Sequence, residues 1–388
     1  KKMKKNTIKM FINELVKITK NKSKSLHEPN FSGEEIKYLT KAIKNKSVST
    51  YGKETYLFEQ KLKNVTKSKN VISIINGTYA LYLSMYSIGV NKSSEVLIPA
   101  LNYIASTNAA QYLGATPHFI DVEESTLGVD FEKLNKYLQK NTYMKSNRCI
   151  NKKSKRHIKA LILTHVFGHP ANMDQASKIC KKYKLILIED AAEALGSFYK
   201  KRHLGTFGKL GVLSFNGNKI ITTGGGGAIL TNDNKLAKKI NHISRNARIK
   251  KNYWEYAHDQ LGFNLRLPSI NAHMGIAQLK SLNNFIKNKR KLFHKYKNIF
   301  KKYNDFEVFQ EKKFSKSNYW LNCIILKKPN KKKLKEIIKL ASMKKIQLRP
   351  VWRILTQNTH LKKYPSMSLV CAKKLESRIL NIPSSSDL

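Results

Sequence analysis

Between residues 71 and 230, strand-sized apolar runs alternate with helix-patterned segments, and no other feature of the sequence limits the fold as strongly. The runs are VISII (71–75), EVLIP (95–99), HFIDV (118–122), IKALILTHV (158–166), LILIED (185–190), VLSF (212–215) and AIL (228–230). Among them NGTYALYLSMYSIG (76–89), STNAAQYLG (106–114) and DQASKICKKY (174–183) carry helical spacing, as do IKYLTKAIKNK (36–46) and YLFEQKLKNVT (56–66) ahead of them. Strands that read as near-continuous apolar runs are buried on both faces, and strands separated by helices pair in parallel. The pattern predicts an α/β fold around a parallel, doubly covered sheet.

From about residue 272 the pattern lengthens into a charged helix, IAQLKSLNNFIKNKRKLFHKYKNIFKKY (276–303), followed by the short strands YWLNCIIL and IQLRP. That change divides the chain into an N-terminal helix and arm (1–30), a large domain (31–271) and a smaller C-terminal domain (272–388). Ile8, Phe11, Leu15 and Ile18 give the first segment its helical spacing. The lysine-rich stretch 140–157 is expected to be a solvent loop.

Composition excludes several classes. No apolar run approaches the roughly 18 residues that cross a bilayer, and the first segment has no cleavage-type ending, so a soluble cytoplasmic protein without a membrane partner is expected. Cys149, Cys180, Cys323 and Cys371 form no CxxC pair. They fit buried thiols of a reducing compartment, with no metal site or disulfide frame. The formal charge is +49, from 74 Lys and Arg against 25 Asp and Glu. Lysines spread along the whole chain describe a compositional habit and solvated faces, not a nucleic-acid-binding surface. Acidic small substrates suit such a field equally well.

Four separated segments fit one chemical task. In IINGTYAL (74–81) a strand enters an Asn-Gly turn and a helix with Thr78 near its N-cap, and a helix N-terminus suits a phosphate monoester. In IPALNYIAST (98–107), Tyr103 follows a strand's C-terminal end, where open α/β sheets bind ligands and an aromatic can lie on a flat cofactor ring. LILIEDAAEALGS (185–197) delivers Glu189 and Asp190 to a strand end. Adjacent strand side chains point oppositely, so only one of the two meets a shared site, where a carboxylate can keep a pyridinium nitrogen protonated. In SFNGNKIITTGGGG (214–227), Lys219 can form a Schiff base with a pyridoxal aldehyde and move a proton. Ser214 is positioned to assist a phosphate, and Gly224 to Gly227 let backbone pass close to a cofactor and adopt positive φ.

Taken in order, NGTYAL, EVLIPALNYIAST, GATPHFIDV, EDAAEALGS, SFNGNKIITTGGGG and HDQLGFNLRLPSINA (258–272) resemble the nucleotide-sugar aminotransferases of the DegT/DnrJ/EryC1/StrS group, over residues 25 to 388. LHEP (26–29), VSTYGK (48–53), the four glycines, RPVW (349–352) and IPSS (382–385) are similar to the branch that aminates UDP-linked 4-keto-6-deoxy-N-acetylhexosamines for bacillosamine or legionaminic acid. The resemblance implies the type I fold of pyridoxal enzymes: a large domain with a mainly parallel seven-stranded sheet, plus a smaller C-terminal α+β domain. It implies pyridoxal 5′-phosphate joined to Lys219, with pyridoxamine phosphate between two half-reactions. It also implies Asp190 at the ring nitrogen, Tyr103 stacked on the ring, and Gly77 and Thr78 amides with the Ser214 hydroxyl on the phosphate. Asn264 is implied to reach the phosphate of a second subunit, hence a homodimer with shared active sites. L-glutamate, leaving as 2-oxoglutarate, and the keto sugar are the implied substrates. Glu193 stands where many members place Gln or His, and an ionised glutamate cannot donate a hydrogen bond. Ser49, His165, Arg266, Arg349 and Trp352 are substrate candidates by motif position.

Overall fold

The computed structural model describes residues 5–19, 25–249 and 254–388, so parts of the N-terminal arm, residues 1–4 and 20–24, lie outside the described residues. In chain order the helices are α1 (Lys5–Thr19), α2 (Glu34–Lys44), α3 (Lys53–Thr66), α4 (Gly77–Ser87), α5 (Ala105–Tyr112), α6 (Phe131–Asn141), α7 (Met173–Tyr183), α8 (Asn234–Ile243), α9 (Ser269–Phe300), α10 (Lys331–Met343) and α11 (Val370–Glu376). The principal strands are β1 (Asn70–Ile74), β2 (Ser94–Pro99), β3 (Thr116–Ile120), β4 (Thr142–Lys145), β5 (Arg148–Asn151), β6 (His157–Thr164), β7 (Ile186–Asp190), β8 (Leu210–Ser214), β9 (Gly227–Thr231), β10 (Phe306–Val308), β11 (Asn322–Leu326), β12 (Arg349–Pro350) and β13 (Ile379–Ile382).

The large sheet runs β1-β9-β8-β7-β6-β2-β3. Neighbours from β8 to β3 are parallel, whereas β9 is antiparallel to both β8 and β1. Every residue of β2, β3 and β9 is buried, as strands covered on both faces require. Short polar residues start the helices: the side chains of Asn76, Asp130, Asn172 and Asp233 each accept from the amide three residues on.

The stretch 140–157 is not a solvent loop. It forms the hairpin β4–β5, whose second strand pairs antiparallel with the start of β6. The cause is a buried carboxylate at the start of β2. Glu95 takes His118 Nδ1 at 2.7 Å, Asn151 Nδ2 at 2.9 Å and the Ser154 hydroxyl. Charged strand faces hid this anchoring from a pattern that counts apolar residues.

The C-terminal part builds a four-stranded antiparallel sheet, β10-β11-β13-β12. Its core includes Tyr296, Phe300, Phe306, Ile324, Ile337 and Leu380, and α1 closes it with Ile8, Phe11 and Leu15. α9 spans two hydrophobic clusters, placing Ile276 and Phe285 in the large core and Tyr296 and Phe300 in the second. It begins at Ser269, ahead of the predicted start at 276. Among the described residues, no helix is long and apolar enough to cross a membrane.

Candidate active site

The carboxyl ends of β6, β7 and β8, the loop after β2 and the start of α4 meet at a cavity of about 460 Å³. Open α/β sheets bind ligands at that edge. Gly77, Thr78, Tyr103, Asp190, Glu193, Ser214, Lys219, Arg349 and Trp352 all line it, so one space brings together most of the residues singled out in the sequence.

Register assembles the anion end. Ile74 and Ser214 both pair with Gly227, so the exit of β1 into α4 lies beside the end of β8. The cap of α4 is Asn76, whose side chain accepts from the Tyr79 amide at 2.8 Å, and Thr78 stands near it in the first turn. Among the described contacts, no protein group accepts from the Gly77 or Thr78 amides, which leaves two N–H donors at a positive helix end. A Cβ on residue 77 would lie 3.1 Å from Ser214 Cβ, and one on residue 227 would lie 2.7 Å from the Asn76 carbonyl carbon. The glycine run therefore serves the closeness of this turn, and within it Gly224 alone takes positive φ.

Alternation along β7 separates its two acids. Glu189 turns away from the cavity and accepts from the amides of Gly205 (2.8 Å), Phe207 and Gly208 (both 2.6 Å) and from His165 Nε2 (3.0 Å). Asp190 lines the cavity and accepts from the Ser106 hydroxyl at 2.9 Å and the Ala192 amide at 3.3 Å. Burial pushes its carboxyl above the usual range, against the Ser106 hydrogen bond and the charge of Lys219.

Glu193 follows in the turn after β7. Its Oε2 accepts from the Phe167 amide at 2.8 Å and its Oε1 lies 3.4 Å from Lys219 Nζ. Burial pushes Glu193 up to about 6, with Lys219 and the Phe167 amide opposing and Asp190 adding like charge. Phe167 holds φ 56° and ψ 19°, a left-handed conformation that a bulky side chain adopts only when its surroundings impose it. That conformation aims its amide at Glu193, while its ring packs 5.2 Å from Trp352. Lys219 Nζ also lies 4.0 Å from the Trp320 ring centre, and Trp320 Nε1 is fixed by the Asn218 carbonyl at 2.6 Å.

Four sequence candidates lie elsewhere. His165 is fully buried and its ring is committed to Glu189, because it sits on the far side of the strand ends from Asp190. Ser49 is exposed, its carbonyl accepting from the Ser269 amide at 2.6 Å. Arg266 bridges to Ile74 and is half-buried, with its Nε unpaired. Asn264 is exposed and bridges to Arg245. Conversely, the cavity contains Thr164, Trp320, Gln347 and Asn381, none of which the sequence marked, and His27, which the motif LHEP included without a role. Thr164 ends β6 next to Asp190, so the strand-end rule reaches it; the others come from segments distant in sequence.

Two free amides and a hydroxyl at a helix start, a buried carboxylate, an aromatic and a lysine in one cavity fit a flat, phosphate-bearing aldehyde.

The DegT/DnrJ/EryC1/StrS aminotransferase family matches the chain over residues 29–388. The chain is 33% identical over 362 residues to a GDP-perosamine synthase of Escherichia coli O157:H7, covering 92% of each protein. It is 32% identical over 297 residues to a UDP-4-amino-4,6-dideoxy-N-acetyl-beta-L-altrosamine transaminase of Campylobacter jejuni subsp. jejuni serotype O:23/36 (strain 81-176), covering 76% of this chain and 75% of that one. A crystal structure of a DegT DnrJ EryC1 StrS aminotransferase from Brucella abortus superposes with a TM-score of 0.82 at 24% identity, covering 91% of each chain, and shares the fold.

Proposed function

The chain belongs to the DegT/DnrJ/EryC1/StrS aminotransferase family, and on that premise we propose that it transfers the amino group of L-glutamate to C4 of a UDP-linked 4-keto-6-deoxy-N-acetylhexosamine. It is a pyridoxal phosphate-dependent aminotransferase. The observation that carries the proposal is that Lys219, Asp190 and the free helix N-terminus of α4 open into one cavity.

When bound, the cofactor supplies an electron sink that lets the bond from carbon to hydrogen beside nitrogen break heterolytically. The Gly77 and Thr78 amides and the Ser214 hydroxyl would hold its phosphate. Asp190, oriented by Ser106, would accept from the protonated ring nitrogen, which would offset its burial. Tyr103, on the cavity wall, would lie against the ring. Lys219 Nζ takes the α-proton of the amino donor and later returns a proton to the carbon that becomes C4–NH₂. Above pH 6 the Glu193 carboxylate accepts from Phe167 and Lys219, so its role is to orient the lysine, not to donate to the cofactor. The donor departs as 2-oxoglutarate, its keto oxygen taken from water and its nitrogen left for the sugar, whose carbonyl oxygen leaves as water. Arg349 and Trp352 are the substrate candidates left on the cavity wall.

A homodimer completes the site in this proposal. Asn264 is exposed outside its own cavity, free to serve the phosphate end of a second copy. Tyr79 and Tyr112 stack at 6.4 Å yet remain 39% and 57% exposed beside the start of α4, as a covered aromatic face would.

GDP-4-keto-6-deoxymannose is the second substrate reading, favoured by the likeness to the E. coli GDP-perosamine synthase. Incubation of purified enzyme with glutamate and a panel of UDP- and GDP-linked 4-keto sugars, read by mass spectrometry, decides between them. Amination of the UDP-linked N-acetylated sugar supports the first, and product from the GDP-linked sugar alone supports the second.

A further inference from the structure

Beyond Lys219 the cavity has a second polar wall, of which only Arg349 has so far been given a part, as a substrate candidate. Leu26 and His27 enter it from the arm after α1, Gln347 from the segment leading into β12, Arg349 and Asn381 from the C-terminal sheet, and Trp320 from the segment before β11. The arm is pinned in place. The Leu26 amide donates to Gln347 Oε1 at 2.9 Å, the Leu26 carbonyl accepts from Ser384 at 2.7 Å, and the Glu28 amide donates to Ser385 Oγ at 2.9 Å. His27 is thereby held with its ring 6.4 Å from that of Trp320, the indole over which Lys219 Nζ lies at 4.0 Å.

Both His27 ring nitrogens are buried without a hydrogen-bond partner, and so is Asn381 Oδ1. Buried polar atoms are almost always paired, so two such groups in one cavity wall call for a partner that arrives with the ligand. The chemistry of that partner follows from the wall. Burial, with the positive charges of Lys289 and Lys219, holds His27 well below the usual imidazole range, so it is neutral and both donates and accepts. Arg349 is the cation of this wall and suits an anionic group, whereas the imidazole and the amide oxygen match a hydroxyl, which likewise both donates and accepts.

We propose that His27, with Asn381, hydrogen-bonds a ring hydroxyl of the acceptor sugar next to its ketone, and so determines specificity in the second half-reaction. This inference rests on the nucleotide-sugar function proposed above. It makes the N-terminal arm part of the acceptor site.

The test separates the half-reactions in the holoenzyme. Loss of visible cofactor absorbance follows glutamate, and its return follows UDP-linked 4-keto-6-deoxy-N-acetylglucosamine. Calorimetry with UDP-N-acetylglucosamine, which has no ketone, reads binding alone. His27→Phe keeps the glutamate step within about twofold, lowers kcat/KM for the keto sugar about ten- to hundredfold, and weakens the analogue to match. His27→Asn restores much of the loss. His27→Ala, which demands no space, shows the same split as His27→Phe. Where the wild-type enzyme turns over, equal slowing of both half-reactions in His27→Phe and His27→Ala, or an unchanged acceptor step in them, overturns the inference alone. A wild-type enzyme that takes glutamate but aminates no nucleotide sugar overturns the substrate proposal and this inference with it.

Discussion

Glu193 is buried beside Asp190 and kept from neutrality chiefly by Lys219 and one amide. An unfolded glutamate ionises around 4.5 and the folded one at about 6. Between those values the folded chain holds a proton that the unfolded chain has lost, so stability falls as pH rises through this window and levels off above it. The difference amounts to about 2 kcal/mol. Glu193→Gln, stripped of cofactor, is therefore expected to gain up to about 2 kcal/mol over wild type at pH 7.5 and nothing at pH 4.5. Denaturant melts at both values check this; an equal gain at both would show that packing, not charge, is responsible. At Lys219 the expectation is simpler. Lys219→Ala develops no visible absorbance with pyridoxal phosphate and loses at least about a thousandfold in turnover; a retained band would remove the lysine from the chemistry. Lys219 and Asp190 were legible because each ends or follows a strand within a single motif. His165 was misplaced because motif position does not say which side of a strand end a ring occupies, and Glu189 claims it. The parts of Ser106, Trp320 and His27 could not be read locally, since Ser106 meets Asp190, and Trp320 and His27 meet the cavity, from elements far apart in sequence.

Elements meet here through register. β1 and β8 end at Ile74 and Ser214 where β9 begins at Gly227, and the first turn of α4 sits on that junction. A methyl at 227 would press on the Asn76 carbonyl carbon at 2.7 Å and the Gly77 nitrogen at 2.8 Å, both backbone atoms that cannot step aside. Gly227→Ala is expected to cost at least about 2 kcal/mol and to weaken cofactor binding disproportionately, by shifting the Gly77 and Thr78 amides. Gly217→Ala, where a methyl meets nothing within 4 Å, is the control. Similar losses for both would mean that the junction is soft. The sheet was readable because both faces of its strands are covered, so burial writes itself as apolar runs. The hairpin β4–β5 was not, because it is attached through Glu95 and its polar partners, with Cys149 a rare apolar anchor. The start of α9 was placed late because Ser269 and Asn271 look like loop residues. Ser269 instead bonds Ser47, and Asn271 bonds the Thr223 carbonyl.

At the scale of the molecule, a chain of formal charge +49 meets reactants that are all anionic under the proposed function: a phosphate cofactor, two dicarboxylates and a sugar diphosphate. The field draws them in, but it also sets like charge against like when two copies associate, so short-range contacts must hold a dimer together. Shared sites provide a direct test of that assembly. If Asn264 of one subunit completes the phosphate end of the other, Asn264→Ala weakens cofactor binding and turnover although the residue lies outside its own cavity. The decisive case is a mixture of Asn264→Ala with Lys219→Ala. In a mixed dimer, the site holding the native Lys219 receives the native Asn264 from its partner and is whole, while the other site lacks both. Random pairing makes half of all dimers mixed, so co-expression in equal amounts returns about a quarter of wild-type sites from two deficient parents. Activity that stays at the average of the two parents, in material shown by sedimentation to be dimeric, would mean that each cavity is complete within one chain.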